Sequence, residues 1–342
     1  MLDPRIVNKS VAVLHKIQAW ICSLLRCGSK PSRQCKTPSN TLPENLLQTL
    51  FPLSPDLPLP DGMNEDEIFA FLNSVRVEKG PEEELAAYCR EDWKRFLYTW
   101  GLVKDLKGTC LELGANPYFI TGLLHEFSQL ELSLANYFGP QFSVLAEQKV
   151  KMAKRGSFEP VWIPLQFHHF NVETEPFPFP DHHFDVLLFC EIIEHLQNDP
   201  LKVFGEIKRV LKPGGTLVLT TPNVARLENT ARIMGGVNVY DPYSGYGPYG
   251  RHNREYNRHE LCLLLTWCGF EVDAGFTADV HPNHSLDYIS RDAMLSLAEI
   301  LQRRQNDLGQ YIFLRARNTQ PMKSKRPGWL YRSYPQGEIE VC

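Results

Sequence analysis

The stretch "GTCLELGANPYFITGLL", residues 108–124, decides the fold of this chain. An apolar run typical of a buried strand ends at Gly114, and after a tight turn "PYFITGLLHEF" predicts a helix. Because glycine has no side chain, Gly114 lets the backbone pass close to a ligand. Pro117 suits the first turn of a helix, where no amide hydrogen is needed. We therefore expect a strand–turn–helix unit that binds a ligand, with Glu112 placed to meet its polar end.

Strands and helices alternate along the rest of this region. The segments "LELSLANYF", "FDVLLFC" and "GTLVLTTP" predict strands, whereas "SVLAEQKVKMAKR" and "PLKVFGEIKRVL" predict helices. A helix near 290–304 and a final strand, "GQYIFLRAR", follow. Continuous apolar strands between helices indicate a parallel sheet that is covered on both faces. In such a sheet, ligands bind beyond the carboxyl ends of the strands.

Two further stretches carry polar residues at predicted strand ends. The first, "FNVETEPFPFPDHHFDVLLFCEIIEHLQND" (residues 170–199), has a polar patch at 171–173 and a predicted short helix with Glu191, Glu194 and His195. The second, "LKPGGTLVLTTPN" (residues 211–223), joins a helix to a strand through two glycines. With residues 108–124 they follow one alternating pattern in order, so we interpret them as parts of one site.

Residues 105–320 resemble the class I methyltransferases that use S-adenosylmethionine. Within that class they resemble the bacterial type 11/12-like group, whose segments read "PFPD…FDVV…EHL…LKPGG". The resemblance implies an α/β fold with a doubly wound, mostly parallel sheet of seven strands, the Rossmann-like methyltransferase fold. The last strand of that fold is antiparallel, and "GQYIFLRAR" suits it. The implied cofactor is S-adenosylmethionine.

The resemblance also implies a cofactor site at three strand ends. It places the methionine end on Glu112, Gly114, Ala115 and Asn116, the adenine on Asn171 and Val172, and the sulfonium above Cys190 and Glu191. Asn136 stands where the family usually has an acid for the ribose hydroxyls, and an amide can still hydrogen-bond a hydroxyl. A dinucleotide site would need G-x-G-x-x-G, of which one glycine is present.

Catalysis of methyl transfer rests largely on positioning, because the charge that drives the displacement is already on the cofactor. A base is needed when the acceptor is a hydroxyl. His195 is our candidate base, with Glu191 beside it. The alternative is that these two residues, four apart on one helix, hydrogen-bond only each other or the backbone. We expect no metal: His168 and His169 flank the predicted adenine turn, and the chain has no Cys-x-x-Cys.

The segment "NVYDPYSGYGPYGRHNREYNRHE", residues 238–260, is called the tyrosine loop below. It follows the strand that ends in "TPN", so we expect it to rise over the site as a lid together with the helix around Tyr88, Trp93 and Tyr98. Tyrosines suit a sugar or aromatic acceptor, and arginines suit phosphate or carboxylate. The predicted acceptor-binding residues are Tyr249, Arg251, His252 and Arg254. The alternative is a structural loop that packs on itself.

Composition and charge set the wider organisation. The 342 residues are 43% hydrophobic and 22% charged with a net charge of −4, as in a globular protein that is not a dedicated nucleic-acid binder. We predict a basic amphipathic helix at 1–27, a Pro/Ser-rich linker at 28–62, a helical cap at 63–104, the methyltransferase domain at 105–320 and a tail at 321–342. The first helix suits an anionic membrane surface or packs on the domain, so we expect a cytoplasmic protein with membrane-surface contact as one alternative.

The predicted function is that of an enzyme which methylates a small molecule, a glycan or a glycolipid precursor, with oxygen as the favoured acceptor atom. A non-catalytic scaffold that binds the cofactor or a partner is the first alternative, and the departure at Asn136 favours it. A nucleic-acid methyltransferase is the second. An aromatic loop with arginines can stack bases, but the predicted domain has no basic surplus, so we expect no nucleic-acid partner.

Overall fold

The computed structural model describes residues 54–342 except 141, 157–158, 246, 305–306 and 341–342. The predicted basic helix at 1–27 and most of the predicted linker therefore lie outside the described residues. The described end of that linker packs on the domain, because the Tyr98 hydroxyl donates to the carbonyl oxygen of Pro55 at 2.8 Å. Within the described ranges, no helix is both long enough and apolar enough to cross a membrane.

A nine-stranded sheet forms the centre of the domain. Its strands, in chain order, are β1 (Arg76–Val77), β2 (Lys107–Leu113), β3 (Gln129–Asn136), β4 (Leu145–Met152), β5 (Val161–His169), β6 (Phe184–Cys190), β7 (Leu211–Pro222), β8 (Phe270–Ala278) and β9 (Tyr311–Asn318). Their order across the sheet is β1-β4-β5-β3-β2-β6-β7-β9-β8. Two short strands of the tail, β10 (Arg326–Pro327) and β11 (Ile339–Glu340), pair with each other.

Seven of these strands form the predicted doubly wound sheet. From β5 to β7 all neighbours are parallel, and β9 lies antiparallel between β7 and β8. The α/β fold expected from the sequence is therefore confirmed, including the antiparallel last strand. The chain runs from β2 outward through β3 to β5 and then returns to β6 on the other side of β2. The carboxyl ends of β2 and β6 thus lie at the switch point, where ligands bind in such folds.

The helix predicted over residues 143–155 is wrong, because this segment forms strand β4. It pairs antiparallel with β5, which the sequence analysis did not predict, and it carries the short β1 on its other side. Along β4 the buried Val150 and Met152 alternate with more exposed neighbours, as on a half-covered strand. Glu, Gln, Lys and Met favour a helix locally, but pairing with β5 along the whole length of β4 overrides that preference.

The described helices cover both faces of the sheet. They are α1 (Glu65–Leu72), α2 (Glu82–Gly101), α3 (Phe119–Phe127), α4 (Pro200–Val210), α5 (Leu227–Met234), α6 (Arg258–Trp267) and α7 (Arg291–Gln302). Asn64 caps α1: its side chain accepts the Glu67 amide at 3.0 Å, and Glu67 accepts the Asn64 amide at 2.9 Å. The buried residues of α1 and α2 share one hydrophobic core with α3 and the strands, so the predicted helical cap packs as part of the domain.

Candidate active site

The turn after β2 leaves Gly114 exposed at the carboxyl edge of the sheet. Its φ is +67°, a conformation that favours glycine, and a Cβ built there would lie 3.2 Å from Cδ1 of Ile192. The amides of Gly114 and Ala115 both donate to the carbonyl oxygen of Ala135, at 2.9 and 3.2 Å. The turn is therefore fixed to the end of β3 by its backbone, and Gly114 provides room beside the segment that follows β6.

Asn136, at the end of β3, holds the same turn through its side chain. Its Oδ1 accepts the backbone N–H of Asn116 at 2.8 Å, and its Nδ2 donates to the Tyr118 hydroxyl at 3.2 Å. Asn136 and Tyr118 are buried, and Tyr118 has a left-handed φ of +73°. An ionised acid could not donate to the tyrosine, which explains an amide at this position. Its contact with a ribose remains a prediction.

Glu112 points into the domain. Its side chain is 3% exposed and accepts a hydrogen bond from Thr121 Oγ1 on α3 at 2.7 Å. Burial raises the pKa of Glu112 to about 8, and the hydrogen bond from Thr121 opposes that rise only in part. The carboxyl therefore ties β2 to α3, and its predicted contact with the methionine end of a cofactor remains a prediction.

The predicted adenine position lies under the tyrosine loop. The side-chain amide of Asn171 donates to the Tyr249 hydroxyl at 3.2 Å and accepts the amide of Glu173 at 2.9 Å. Tyr137 stacks on His169 with ring centroids 5.2 Å apart and lies 6.5 Å from the ring of Tyr249. The structure thus brings Tyr249, predicted as an acceptor contact, to the cofactor side of the site.

The predicted helix that carried both Glu191 and His195 is wrong. Only Ile193–His195 form a short 3₁₀ turn, and Glu191 precedes it with a left-handed φ of +54°. Glu191 accepts a hydrogen bond from Thr220 Oγ1 at 2.8 Å and lies 3.6 Å from the guanidinium of buried Arg95. The two residues therefore do not form an i, i+4 pair, because the chain turns sharply as it leaves β6.

Burial also controls the charge at the end of β6. It raises the pKa of Glu191 to about 8; Arg95 opposes this rise and the neighbouring Glu194 adds to it. The pKa of the Cys190 thiol is likewise raised by burial. A thiol of this kind is protonated near neutral pH, so Cys190 offers the site a soft, uncharged surface.

His195 is buried and has a defined orientation. Its Nδ1 lies 3.0 Å from the carbonyl oxygen of Arg251, and its Nε2 lies 3.7 Å from Oε1 of Glu194. Burial and, to a smaller extent, the charge of His252 lower the pKa of His195 to about 4. The imidazole is therefore neutral near pH 7. A neutral imidazole is the form that a general base requires.

Unlike the neutral His195 nearby, His252 is protonated near pH 7, although its side chain is half-buried. Burial opposes protonation, but the hydrogen bond with Glu255 at 2.8 Å and the charge of Glu194 outweigh it and raise the pKa of His252 to about 9. Glu255 also pairs with Arg226 at 2.9 Å. The sequence analysis missed Glu255 and did not assign Glu194 a role. The spacing His252-x-x-Glu255 is the sequence pattern from which this pair could have been predicted.

The tyrosine loop lies over the carboxyl edge, as expected. The amides of Asn253 and Arg254 donate to the carbonyl oxygen of Glu194 at 2.7 and 3.1 Å, and the Asn253 side chain donates to the carbonyl oxygen of His195 at 2.9 Å. These bonds fix the end of the loop to the segment that follows β6. Asn253 is a positioning residue that the sequence analysis did not identify.

Helix α2, predicted as the partner of this lid, packs mainly on the core. Tyr98 packs on the rings of Phe276 and Phe313, Trp93 packs on Phe69, and Tyr88 packs on Phe96 and Phe119. The Tyr88 hydroxyl also accepts a hydrogen bond from Arg95, whose guanidinium lies 3.6 Å from Glu191, so α2 borders the site at the end of β6. Its role in a lid with the tyrosine loop stays a prediction.

A cavity of about 590 Å³ lies beneath the tyrosine loop. His252 and Arg254 line it, together with the aromatic rings of Tyr240, Tyr256 and Tyr331. The other two predicted acceptor contacts lie elsewhere: Tyr249 contacts Asn171, and the guanidinium of Arg251 lies 5.0 Å from the ring centre of exposed Tyr243. The structure thus brings together two of the four predicted residues.

Comparison with known proteins agrees with this architecture. Residues 121–219 match the family described as a methyltransferase domain. A probable S-adenosylmethionine-dependent methyltransferase from Mycolicibacterium smegmatis is 36% identical over 96 residues, which cover 28% of this chain. The match spans 32% of that relative's length.

Solved structures show a more distant likeness. An S-adenosylmethionine-dependent methyltransferase from Archaeoglobus fulgidus is 16% identical, with a TM-score of 0.40, over 67% of this chain and 94% of that one. Another from Mesorhizobium loti is 14% identical, with a TM-score of 0.37, over 66% of this chain and 97% of that one.

These comparisons support the class expected from the sequence: residues 121–219 are similar to a methyltransferase domain, and the relative is named as dependent on S-adenosylmethionine. The cofactor of that class is S-adenosylmethionine. Its methionine end would lie against exposed Gly114, where an added side chain would crowd Ile192 of the segment that follows β6. The ribose position differs, because Asn136 is engaged in the turn.

Proposed function

We propose that this protein transfers the methyl group of S-adenosylmethionine to a hydroxyl of a small molecule, a glycan or a glycolipid precursor. One observation carries the proposal. The exposed glycine at the end of β2 and the neutral imidazole of His195 after β6 both lie at the carboxyl edge of the sheet, and the cavity begins at Leu196 and His252, which adjoin His195. A cofactor turn, a candidate base and an acceptor cavity are the parts that such a reaction needs.

The residues that would hold the cofactor come from three strand ends. Gly114 would leave room for the methionine end, Cys190 would lie below the sulfonium, and Asn171 with Val172 would contact the adenine. When bound, the cofactor supplies an electrophilic methyl group. The protein would position the acceptor oxygen against that group, and the Nε2 lone pair of His195 would take the hydroxyl proton.

The cavity supports a small, polar acceptor. Its volume is within the usual range for small-molecule sites. The rings of Tyr240 and Tyr331 offer flat faces for a sugar or aromatic group. Arg254 at the same wall offers a cation for a phosphate or carboxylate. This combination favours an acceptor that is both cyclic and anionic, such as a sugar phosphate.

Transfer of a labelled methyl group tests the function. The purified protein is incubated with S-adenosylmethionine carrying a labelled methyl and with a small-molecule fraction of cell extract. We expect a labelled product whose methyl ether survives mild alkali, which hydrolyses a methyl ester. Without enzyme, or with the Gly114→Arg variant, no such product should form. Label in protein or nucleic acid, or no label at all, would contradict the proposed acceptor class.

A cofactor-binding scaffold is the second candidate. The engagement of Asn136 within the turn favours it, because the usual partner of the ribose is then occupied. A scaffold would bind S-adenosylhomocysteine yet give no labelled product with any acceptor fraction. The labelling experiment and a binding measurement on the same sample therefore separate the two candidates.

A further inference from the structure

Three side chains with metal-binding atoms meet at the wall of the cavity. Glu194 and His195 come from the 3₁₀ turn after β6, and His252 comes from the tyrosine loop. One ligand atom from each lies within 4.8 Å of the others. The Nε2 of His195 is 3.7 Å from Oε1 of Glu194, and the two imidazole rings are 5.0 Å apart. Glu194 and His195 are buried, and His252 lines the cavity.

Each of these side chains is oriented by a second contact. His195 Nδ1 donates to the carbonyl oxygen of Arg251, so the lone pair of this neutral ring is on Nε2. His252 Nδ1 lies 2.8 Å from the carboxylate of Glu255. Thr221 Oγ1 donates to Oε2 of Glu194 at 2.9 Å, and Oε1 is the oxygen nearer to His195. Metal-binding histidines are typically held in this way, with the other ring nitrogen on a carboxylate or a backbone carbonyl.

We propose that Glu194, His195 and His252 bind one divalent first-row metal ion, of which Zn²⁺ is the closest chemical match, and that the Nε2 proton of His252 is released to solvent as the metal–nitrogen bond forms. Two imidazoles and one carboxylate are a common ligand set for Zn²⁺, and three protein ligands leave a position for a fourth ligand. Tetrahedral Zn²⁺ holds its ligand atoms about 3.4 Å apart. The pair Glu194–His195 is close to that spacing, and His252 would approach by about 1 Å.

The position of His252 indicates what the fourth ligand is. His252 lines the cavity and Glu194 and His195 are buried behind it, so a metal at the cluster would border the cavity at His252. This part rests on the proposed function: the fourth ligand would be the acceptor hydroxyl or a water molecule, and the metal would lower its pKa so that its proton passes to solvent. His195 would then act as a metal ligand in the loaded protein, which revises its role as a base.

Metal titration of the full-length protein tests the site. The protein is dialysed against a chelator, and its binding of Zn²⁺ is measured by calorimetry. Co²⁺ is added to a second sample, and its visible spectrum is recorded. We expect one Zn²⁺ per chain and a Co²⁺ spectrum of a four- or five-coordinate ion. The variants His252→Ala and Glu194→Gln should bind Zn²⁺ at least tenfold more weakly, whereas His125→Ala, an exposed histidine outside the cluster, should bind it normally.

Several outcomes would overturn the metal site. The first is no stoichiometric binding by the wild-type protein, and the second is equal Zn²⁺ affinity in all three variants. A spectrum of six-coordinate aqueous Co²⁺ in the wild-type protein would also overturn it, even if a variant failed to fold. S-adenosylhomocysteine binding is measured on the same samples. Loss of that binding with Zn²⁺ binding intact would contradict the proposed function alone.

Discussion

The Nδ1 of His195 lies 3.0 Å from the carbonyl oxygen of Arg251, which joins the segment after β6 to the tyrosine loop. A carbonyl oxygen can only accept, so this contact fixes which nitrogen of His195 carries the proton. The orientation of the central imidazole therefore depends on a loop more than 50 residues away in sequence. This hydrogen bond thus links the proposed base, His195, to the loop that lines the proposed acceptor cavity.

The proposed role of His195 predicts a loss of turnover without a loss of cofactor binding. His195→Ala should lower kcat by roughly 10²–10⁴, because either a base or a metal ligand is lost. The affinity for S-adenosylhomocysteine, measured by calorimetry, should change less than threefold. His125→Ala, at an exposed position, is the control. An unchanged kcat would show that positioning alone supports the reaction.

Arg254 is proposed to contact the acceptor. Its guanidinium lies at the cavity wall and pairs with Glu260 on the exposed side of α6. Arg254→Ala should raise KM for an anionic acceptor about tenfold, as expected for one charged hydrogen bond, and leave cofactor affinity alone. Steady-state kinetics measure this effect, with the exposed Arg303→Ala as the matched control. A similar rise in KM in both variants would indicate a non-specific charge effect.

Asn136 stabilises the turn that contains Gly114. Asn136→Ala leaves the amide of Asn116 and the hydroxyl of Tyr118 without their present partner, so the free energy of unfolding should fall by about 1–3 kcal/mol. Denaturant unfolding measures this, and Asn198→Ala at an exposed position should change stability by less than about 0.5 kcal/mol. Equal stability of the two variants would mean that the turn does not need the side chain of Asn136.

Glu255 makes stability depend on pH. Burial opposes its ionisation, but Arg226 and His252 outweigh burial and lower the pKa of Glu255 to about 2 from the usual 4.5. A lowered acid pKa contributes stability that is present above pH 4.5 and is lost as the pH falls towards 2. The wild type should therefore be more stable than Glu255→Gln by up to about 3 kcal/mol at pH 7.

Denaturant unfolding of both proteins between pH 7 and pH 2 tests that dependence. The difference in their free energies of unfolding should stay constant down to about pH 5 and then shrink. A difference that does not change with pH would mean that the ion pairs of Glu255 add no stability.

The parallel part of the sheet could be predicted because the residue pattern within each segment is enough to identify it as a strand. Residues 186–190 are apolar throughout, a pattern typical of a strand covered on both faces. Strand β4 could not be predicted this way, because its identity depends on pairing with β5, and its own residues favour a helix. A local sequence pattern does not show which distant segments pair as strands.

The candidate site was predictable in its location and less so in its contacts. The glycine at the end of β2 and the loop over the carboxyl edge follow from the topology of such sheets. The partner of Asn136 does not, because the hydroxyl of Tyr118 reaches it only through the left-handed turn. The meeting of His195 with His252 likewise depends on the path of the tyrosine loop, and no spacing in the sequence fixes that path.

Binding of S-adenosylhomocysteine, measured by calorimetry on the wild type and on Gly114→Arg, tests the central claim most directly. An arginine there would fill the space beside the turn, and the positive φ of Gly114 would strain any side chain. The account predicts one site per chain in the wild type and at least a hundredfold weaker binding in the variant. Gly156→Arg, at an open position with a similar positive φ, should bind as the wild type does. Equal affinity of wild type and Gly114→Arg, with both proteins folded, would contradict a cofactor site at the end of β2.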